Sequence, residues 1–156
     1  MRYSNIIFND TAAAPGISVS FFTQGCPHHC LGCHNPETWS FSGGKEFIPQ
    51  VLDDIITGLH ANGIERNFCL MGGEPLCQEN EFLSFLILST IKEKSPNTKI
   101  YIWTGYTYEE LLKRDNKISK ILEMTDVLID GPYINEERDI TLNMRGSRNQ
   151  RIINLK

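Results

Sequence analysis

Four short runs rich in β-branched and aromatic residues, Ile17-Ser-Val-Ser-Phe-Phe22, Phe68-Cys-Leu-Met71, Lys99-Ile-Tyr-Ile-Trp103 and Val127-Leu-Ile-Asp130, are separated by stretches with helical spacing. From Pro49 to His60, Val51, Leu52, Ile55, Ile56 and Leu59 fall on one side and Asp53 and Asp54 on the other, which predicts an amphipathic helix opening at a proline. Glu79 to Lys94 is apolar nearly all round, as in a helix packed on more than one side, and Ser95-Pro96-Asn97 ends it. A third helical stretch runs from Thr107 to about Met124 and is broken near Asp115-Asn116. Strand and helix alternate throughout. This order predicts parallel neighbours joined by right-handed helical crossovers, an open or partly closed α/β sheet. The units are too few for a complete eight-fold barrel, which takes about 250 residues. A chain of 156 residues, 40% hydrophobic and 22% charged, reads as one domain over 1–156 with a core of its own.

Composition excludes some partners. Fifteen Lys and Arg against 19 Asp and Glu give a net charge of −4, which argues against a phosphate backbone as the main partner. The first residues, Met-Arg-Tyr-Ser-Asn-Ile-Ile-Phe-Asn-Asp, lack the apolar core of a secretory signal. No later run approaches the roughly 20 apolar residues of a membrane span, so the expectation is a cytoplasmic protein.

The chemistry concentrates in Gly25-Cys-Pro-His-His-Cys-Leu-Gly-Cys-His-Asn35, on a loop following the first of the apolar runs. Cys26, Cys30 and Cys33 can hold a metal centre and leave one position open; on a cubane iron–sulfur cluster three thiolates would ligate three irons and leave the fourth to a substrate. Zinc is an alternative, with His28, His29 or His34 completing the set. Cys30-Leu-Gly-Cys33-His34 also matches a c-type haem attachment pattern, although that leaves Cys26 without a role. Cys69 and Cys77 read as buried free thiols. The segments Gly72-Gly-Glu-Pro75, Trp103-Thr-Gly-Tyr106 and Asp130-Gly-Pro-Tyr133 join the cysteine loop at the carboxyl ends of strands, where ligands collect in parallel sheets. Ser42-Gly-Gly-Lys45 reads as a loop, and Arg145 to Arg151 as a polar segment before the short apolar run Ile152-Ile-Asn-Leu155.

Cys-x-x-x-Cys-x-x-Cys followed by Gly-Gly-Glu-Pro at the end of the next strand resembles the radical S-adenosylmethionine superfamily. Within it, Cys33-His-Asn-Pro-Glu-Thr-Trp39 resembles the glycyl-radical activating enzymes. Trp103-Thr-Gly-Tyr106, Asp130-Gly-Pro-Tyr133 and Arg145-Gly-Ser-Arg-Asn-Gln150 resemble the branch that activates anaerobic ribonucleoside-triphosphate reductase.

The resemblance implies a compact partial (open) βα barrel. It implies a [4Fe-4S] cluster on Cys26, Cys30 and Cys33, with S-adenosyl-L-methionine bound by Gly32, Cys33, His34, Gly72, Gly73 and Glu74. No catalytic side chain is implied, since cluster and adenosylmethionine carry the chemistry: reductive cleavage gives a radical that takes hydrogen from a glycine. The implied partners are the large subunit of an anaerobic ribonucleoside-triphosphate reductase and a low-potential donor such as flavodoxin. Two positions depart from the wider pattern. Gly32 stands where an aromatic residue is common. In related activating enzymes an aspartate near Asp130 helps build a monovalent-cation site, and the companion aspartate is replaced by Trp103. Arg145, Arg148 and Asn149 are candidates to face the cofactor or the partner.

Overall fold

The computed structural model describes residues 1–156. Its sheet has seven strands: β1 (Arg2–Asp10), β2 (Ser18–Thr23), β3 (Lys45–Glu46), β4 (Asn67–Gly72), β5 (Ile100–Trp103), β6 (Val127–Asp130) and β7 (Arg151–Asn154). They lie in the order β3-β1-β2-β4-β5-β6-β7. The four expected strands form the centre and run parallel. Antiparallel strands flank them, β1 and β3 on one side and β7 on the other. The sheet is therefore mixed, and three of its strands were not expected. β3 begins at Lys45, the last residue of the segment read as a loop, and pairs with β1, and β7 turns the short terminal apolar run back along β6.

Four helices complete the fold, α1 (Pro49–Leu59), α2 (Glu81–Lys94), α3 (Tyr108–Leu112) and α4 (Asn116–Met124). Each boundary has a local cause. Pro49 sits in the first turn of α1, where its fixed φ suits the helix and its missing N–H costs nothing. Thr107 caps α3 in a reciprocal box with Glu110. The break ahead of α4 is a second start signal: Asp115 accepts from the amides of Lys117 and Ile118, satisfying donors at the new helix end. The far ends of α1 and α2 are tied through His60 Nε2 and Ser95 Oγ, 2.7 Å apart.

Alternation along the strands divides the core. Val19, Phe21, Phe68, Leu70, Ile100, Ile102 and Leu128 face one way and pack with Val51, Ile55, Leu59, Leu83, Ile87, Ile118 and Ile121 of the helices. The intervening residues Cys69, Tyr101, Val127 and Ile129 face the other way, with Met71, Trp103, Met144 and Ile152 beside them. The crossovers from β2 through β6 step in one direction, and their helices cover one face. The opposite face receives loops, and at its carboxyl end it opens into a cavity.

Candidate functional site

A cavity of about 250 Å³ lies at the carboxyl ends of β2, β4, β5 and β6. Cys26, Cys30, Cys33, His34, Gly72, Gly73 and Glu74 all line it, so seven of the eight residues expected from the sequence meet in one place. Gly32 is the exception. Its φ of +77° is one that glycine adopts freely, and an added Cβ would lie 2.5 Å from Asn135 Oδ1. A turn closing on Asn135 accounts for this glycine.

The cysteine loop leaves β2 at Gly25, whose φ is +101°. Gly25 N donates to Thr38 O at 2.7 Å and Cys26 N to Trp39 O at 3.1 Å, which folds the segment after Cys33 back beside the segment before it. Burial pushes the Cys26 thiol up to about 11, so without a cation at hand it is neutral; ligation replaces the proton with metal charge. Asn35 N donates to Cys33 Sγ at 3.4 Å, the kind of contact that tunes a cluster sulfur.

No three His, Cys, Asp or Glu side chains converge as ligands of a single metal ion. Tetrahedral coordination at about 2.3 Å would hold the sulfurs only roughly 3.8 Å apart. A cubane gives each thiolate its own iron and spaces the sulfurs more widely. Cys26, Cys30 and Cys33 line one cavity and are a donor set of the kind a cubane takes.

The glycines after β4 are required by backbone packing. Gly72 has φ of +107°, and a Cβ there would lie 2.6 Å from Thr23 N. A Cβ on Gly73 would run into the Gly25 carbonyl. Gly73 N donates to Thr23 O and Glu74 N to Gly25 O, each at 2.9 Å. Asn80, at the start of α2, adds its side-chain amide, with Nδ2 within 3.1 Å of the carbonyls of Gln24, Gly25 and Glu74. Two strand-end loops are thereby fused into one wall.

The Glu74 carboxylate is buried and occupied by its own chain. Oε1 accepts from Leu76 N at 2.9 Å and Thr104 Oγ1 at 2.7 Å, and Oε2 from Gly105 N at 2.7 Å. His28 Nε2 lies 2.8 Å from Oε2. This bond raises the His28 pKa against the opposing effect of burial. Neither link is visible in the motif, since His28 and Glu74 are 46 residues apart.

Asp130 is also buried at a strand end, but its partner is charged. Arg151 Nε donates to Oδ1 at 3.0 Å, Arg151 Nη2 to Oδ2 at 2.5 Å, and Tyr108 N to Oδ2 at 2.7 Å. A guanidinium from β7 occupies the carboxylate that could otherwise have faced a monovalent cation. Arg145 donates to Asn143 O and Gln150 O within its own loop, Arg148 is exposed, and Asn149 Nδ2 donates to Pro132 O. None of these three lines the cavity.

Trp39, Met71, Trp103, Tyr133 and Met144 add apolar and aromatic side chains to the lining, and His28 borders it as well; Trp103 and Tyr133 were expected at strand ends, but none of the five was given a binding role. His29 stacks on Trp39 at 4.6 Å and 14°, His34 packs on Tyr133 at 5.4 Å, and Trp103 Nε1 donates to Met144 O at 2.7 Å. The usable signal was aromatic residues inside segments already marked by glycine and proline.

Residues 12–153 match the family described as a 4Fe-4S single cluster domain. The chain is also similar along its length to curated proteins named anaerobic ribonucleoside-triphosphate reductase-activating protein. It is 37% identical to that of Vibrio cholerae, with 96% of each chain covered. It is 36% identical to that of Haemophilus influenzae over 100% of this chain and 99% of the relative, and 32% identical to that of Escherichia coli K12 over the whole of both.

Proposed function

The chain belongs to the family of anaerobic ribonucleoside-triphosphate reductase-activating proteins, and from this membership we propose that it places a glycyl radical on an anaerobic (class III) ribonucleoside-triphosphate reductase. The observation that carries the proposal is the meeting of three thiols with the Gly72-Gly73 edge in one cavity. In this reading Cys26, Cys30 and Cys33 hold a [4Fe-4S] cluster, and Cys33, His34, Gly72, Gly73 and Glu74 surround S-adenosyl-L-methionine, while Gly32 serves the turn against Asn135. When bound, cluster and adenosylmethionine together supply a one-electron cleavage of the sulfonium and a carbon radical able to take hydrogen from a glycine of the reductase.

The chain's own residues hold and shield. The N–H groups of Gly73 and Glu74 are already engaged by Thr23 and Gly25, so this edge presents carbonyl oxygen, which suits an ammonium group. The Glu74 side chain contributes by fixing the wall, given its four partners. Met71, Trp103 and Met144 give the cavity an apolar part of its wall, and Trp39 and Tyr133 add aromatic rings. Such a lining keeps water from a reactive radical and holds the reacting groups in place, which is most of what radical transfer requires of a protein.

One domain over 1–156 acts here as a compact partial βα barrel of the radical S-adenosylmethionine type, with helices on one face only. That open architecture suits a target on another protein. The proposed setting is the cytoplasm, with a low-potential carrier such as flavodoxin as reductant.

The test is anaerobic reconstitution followed by mixing with the reductase, adenosylmethionine and reductant. Iron and sulfide near four each per chain, and a glycyl doublet in electron paramagnetic resonance that needs every component, are the expected results. A colourless protein with stoichiometric zinc overturns the cluster. A brown protein that cleaves adenosylmethionine but leaves the reductase without a doublet moves the target to another glycyl-radical enzyme or a small molecule.

A further inference from the structure

We propose that His28, which borders the cavity beside Cys26 and Cys30, is a positioning residue for the cysteine loop, acting through the Glu74 carboxylate. It deepens the function proposed above and rests on Cys26 and Cys30 being cluster ligands, since His28 lies midway between them in the sequence.

The loop has little else to hold it there. Its backbone bonds are at its ends: Gly25 N to Thr38 O, Cys26 N to Trp39 O, and Cys33 N to Cys30 O. Between Cys26 and Cys30 the chain is fixed by two side chains, His29 stacked on Trp39 and His28 bonded to Glu74. His29 has φ of +47°, a conformation uncommon for a residue with a side chain, so the segment needs holding.

His28 is enclosed as well as bonded. A Cβ on Gly105 would lie 2.6 Å from its ring, and Tyr106 packs edge-on against it at 4.6 Å and 71°. Tyr106 in turn lies beneath the Arg114 guanidinium at 5.4 Å.

Glu74 is a fixed point to which the ring is tied. Its two oxygens take the Leu76 and Gly105 amides, the Thr104 hydroxyl and the His28 ring, close to the roughly four acceptor positions of a carboxylate. The side chain therefore joins the strand ends of β2, β4 and β5 and has little capacity left for a ligand ammonium group.

The experiment compares His28→Phe, which keeps a ring without the bond, with His28→Gln, whose amide nitrogen can reach the position of Nε2. Alkylation of each cysteine by iodoacetamide is followed by mass spectrometry on the full-length chain before cluster loading. The reduced-cluster paramagnetic signal is then recorded on the reconstituted chain with and without adenosylmethionine.

His28→Phe should label Cys26 and Cys30 about tenfold faster than the unmodified chain, the scale of one hydrogen bond to a charged group. His28→Gln should return the rate to within about twofold, inside the context dependence of such a bond, and keep the response of the signal to adenosylmethionine that His28→Phe loses. Equal labelling of His28→Phe and the unmodified chain overturns the proposal, as does a His28→Gln rate equal to that of His28→Phe. If His28→Phe unfolds the chain, buried Cys69 and Cys77 will label too. His28→Asn, too short to reach, then replaces it and must label faster than His28→Gln; equality overturns the proposal. Labelling needs no iron, so a chain that fails to load a cluster defeats the proposed function and still reports on His28.

Discussion

The two faces of the sheet are built on opposite principles. The helix-covered face buries a continuous aliphatic cluster, with Ile55, Leu70, Ile87 and Ile102 fully enclosed. The other face carries Ser18, Ser20, Cys69, Tyr101 and Trp103, is covered by loops, and ends in the cavity. The first face gains free energy from apolar area removed from water. The second spends its residues on polar links, buried thiols and ring faces. Substitutions on the helix face should therefore act on stability with little change in chemistry per folded molecule, and those at the cavity should do the reverse.

The largest expected effect is at the cavity. Cys26→Ala, Cys30→Ala or Cys33→Ala should reduce adenosylmethionine cleavage to the level of a protein-free control, while thermal melting in the cluster-free state stays close to that of the parent. Cys69→Ala and Cys77→Ala, although their thiols are buried and raised to about 11 and about 12 by that burial, should retain cleavage. Loss in either pair member, or retention in any of the first three, breaks the distinction between ligand and filler.

On the helix face, Ile87→Ala or Leu70→Ala should cost about 2–5 kcal/mol in denaturant unfolding, from lost transfer energy plus the cavity left behind. The iron content of the fraction that remains folded should match the parent; a lower content would couple the faces.

At the sheet's far end, Asp130→Asn removes the charge that faces Arg151 and should lower stability by about 1.5–3 kcal/mol, the scale of charge-assisted hydrogen bonds. Because Arg151 already fills that carboxylate, exchanging potassium for a large organic cation should leave the parent's activity unchanged. A cation requirement would separate this site from the structure described here.

The smallest effect is at the surface. Arg151 draws the Glu109 pKa down to about 2 from an ordinary 4.5. A depressed carboxylate contributes its stability fully above the unfolded value and loses it as the pH falls through the folded one. Melting should therefore decline between about pH 4.5 and pH 2 by slightly more in the parent than in Glu109→Gln; the pair is exposed and screened. Identical profiles would remove Glu109 from the account.

The same division decided what could be read from the sequence. Helical spacing located all four helices, and β-branched runs located the four parallel strands, because the covered face imposes a repeating apolar pattern. β1 escaped notice because Arg2 to Asp10 is largely uncovered; its place comes from pairing with β2 and β3. β7 is four residues whose strand character depends on the register with β6. Cysteines and glycines of the site were visible since their chemistry sits in short motifs. The roles of His28 and Arg151 were not, because each depends on a carboxylate far away in the chain. Glu74, expected at the adenosylmethionine site mostly through its backbone, or else as a structural strand-end carboxylate, is in its side chain a junction of three strand ends.

Asn80 adds a consequence for heating. One amide at the start of α2 bonds the carbonyls of Gln24, Gly25 and Glu74, so the base of the cysteine loop and the Gly-Gly edge stay joined while that helix holds. With His28 in place, the base of the site and the start of that helix form one cooperative unit. On warming, the thiols should become reactive at the temperature at which far-ultraviolet circular dichroism falls, with no earlier step in which the cavity alone comes apart.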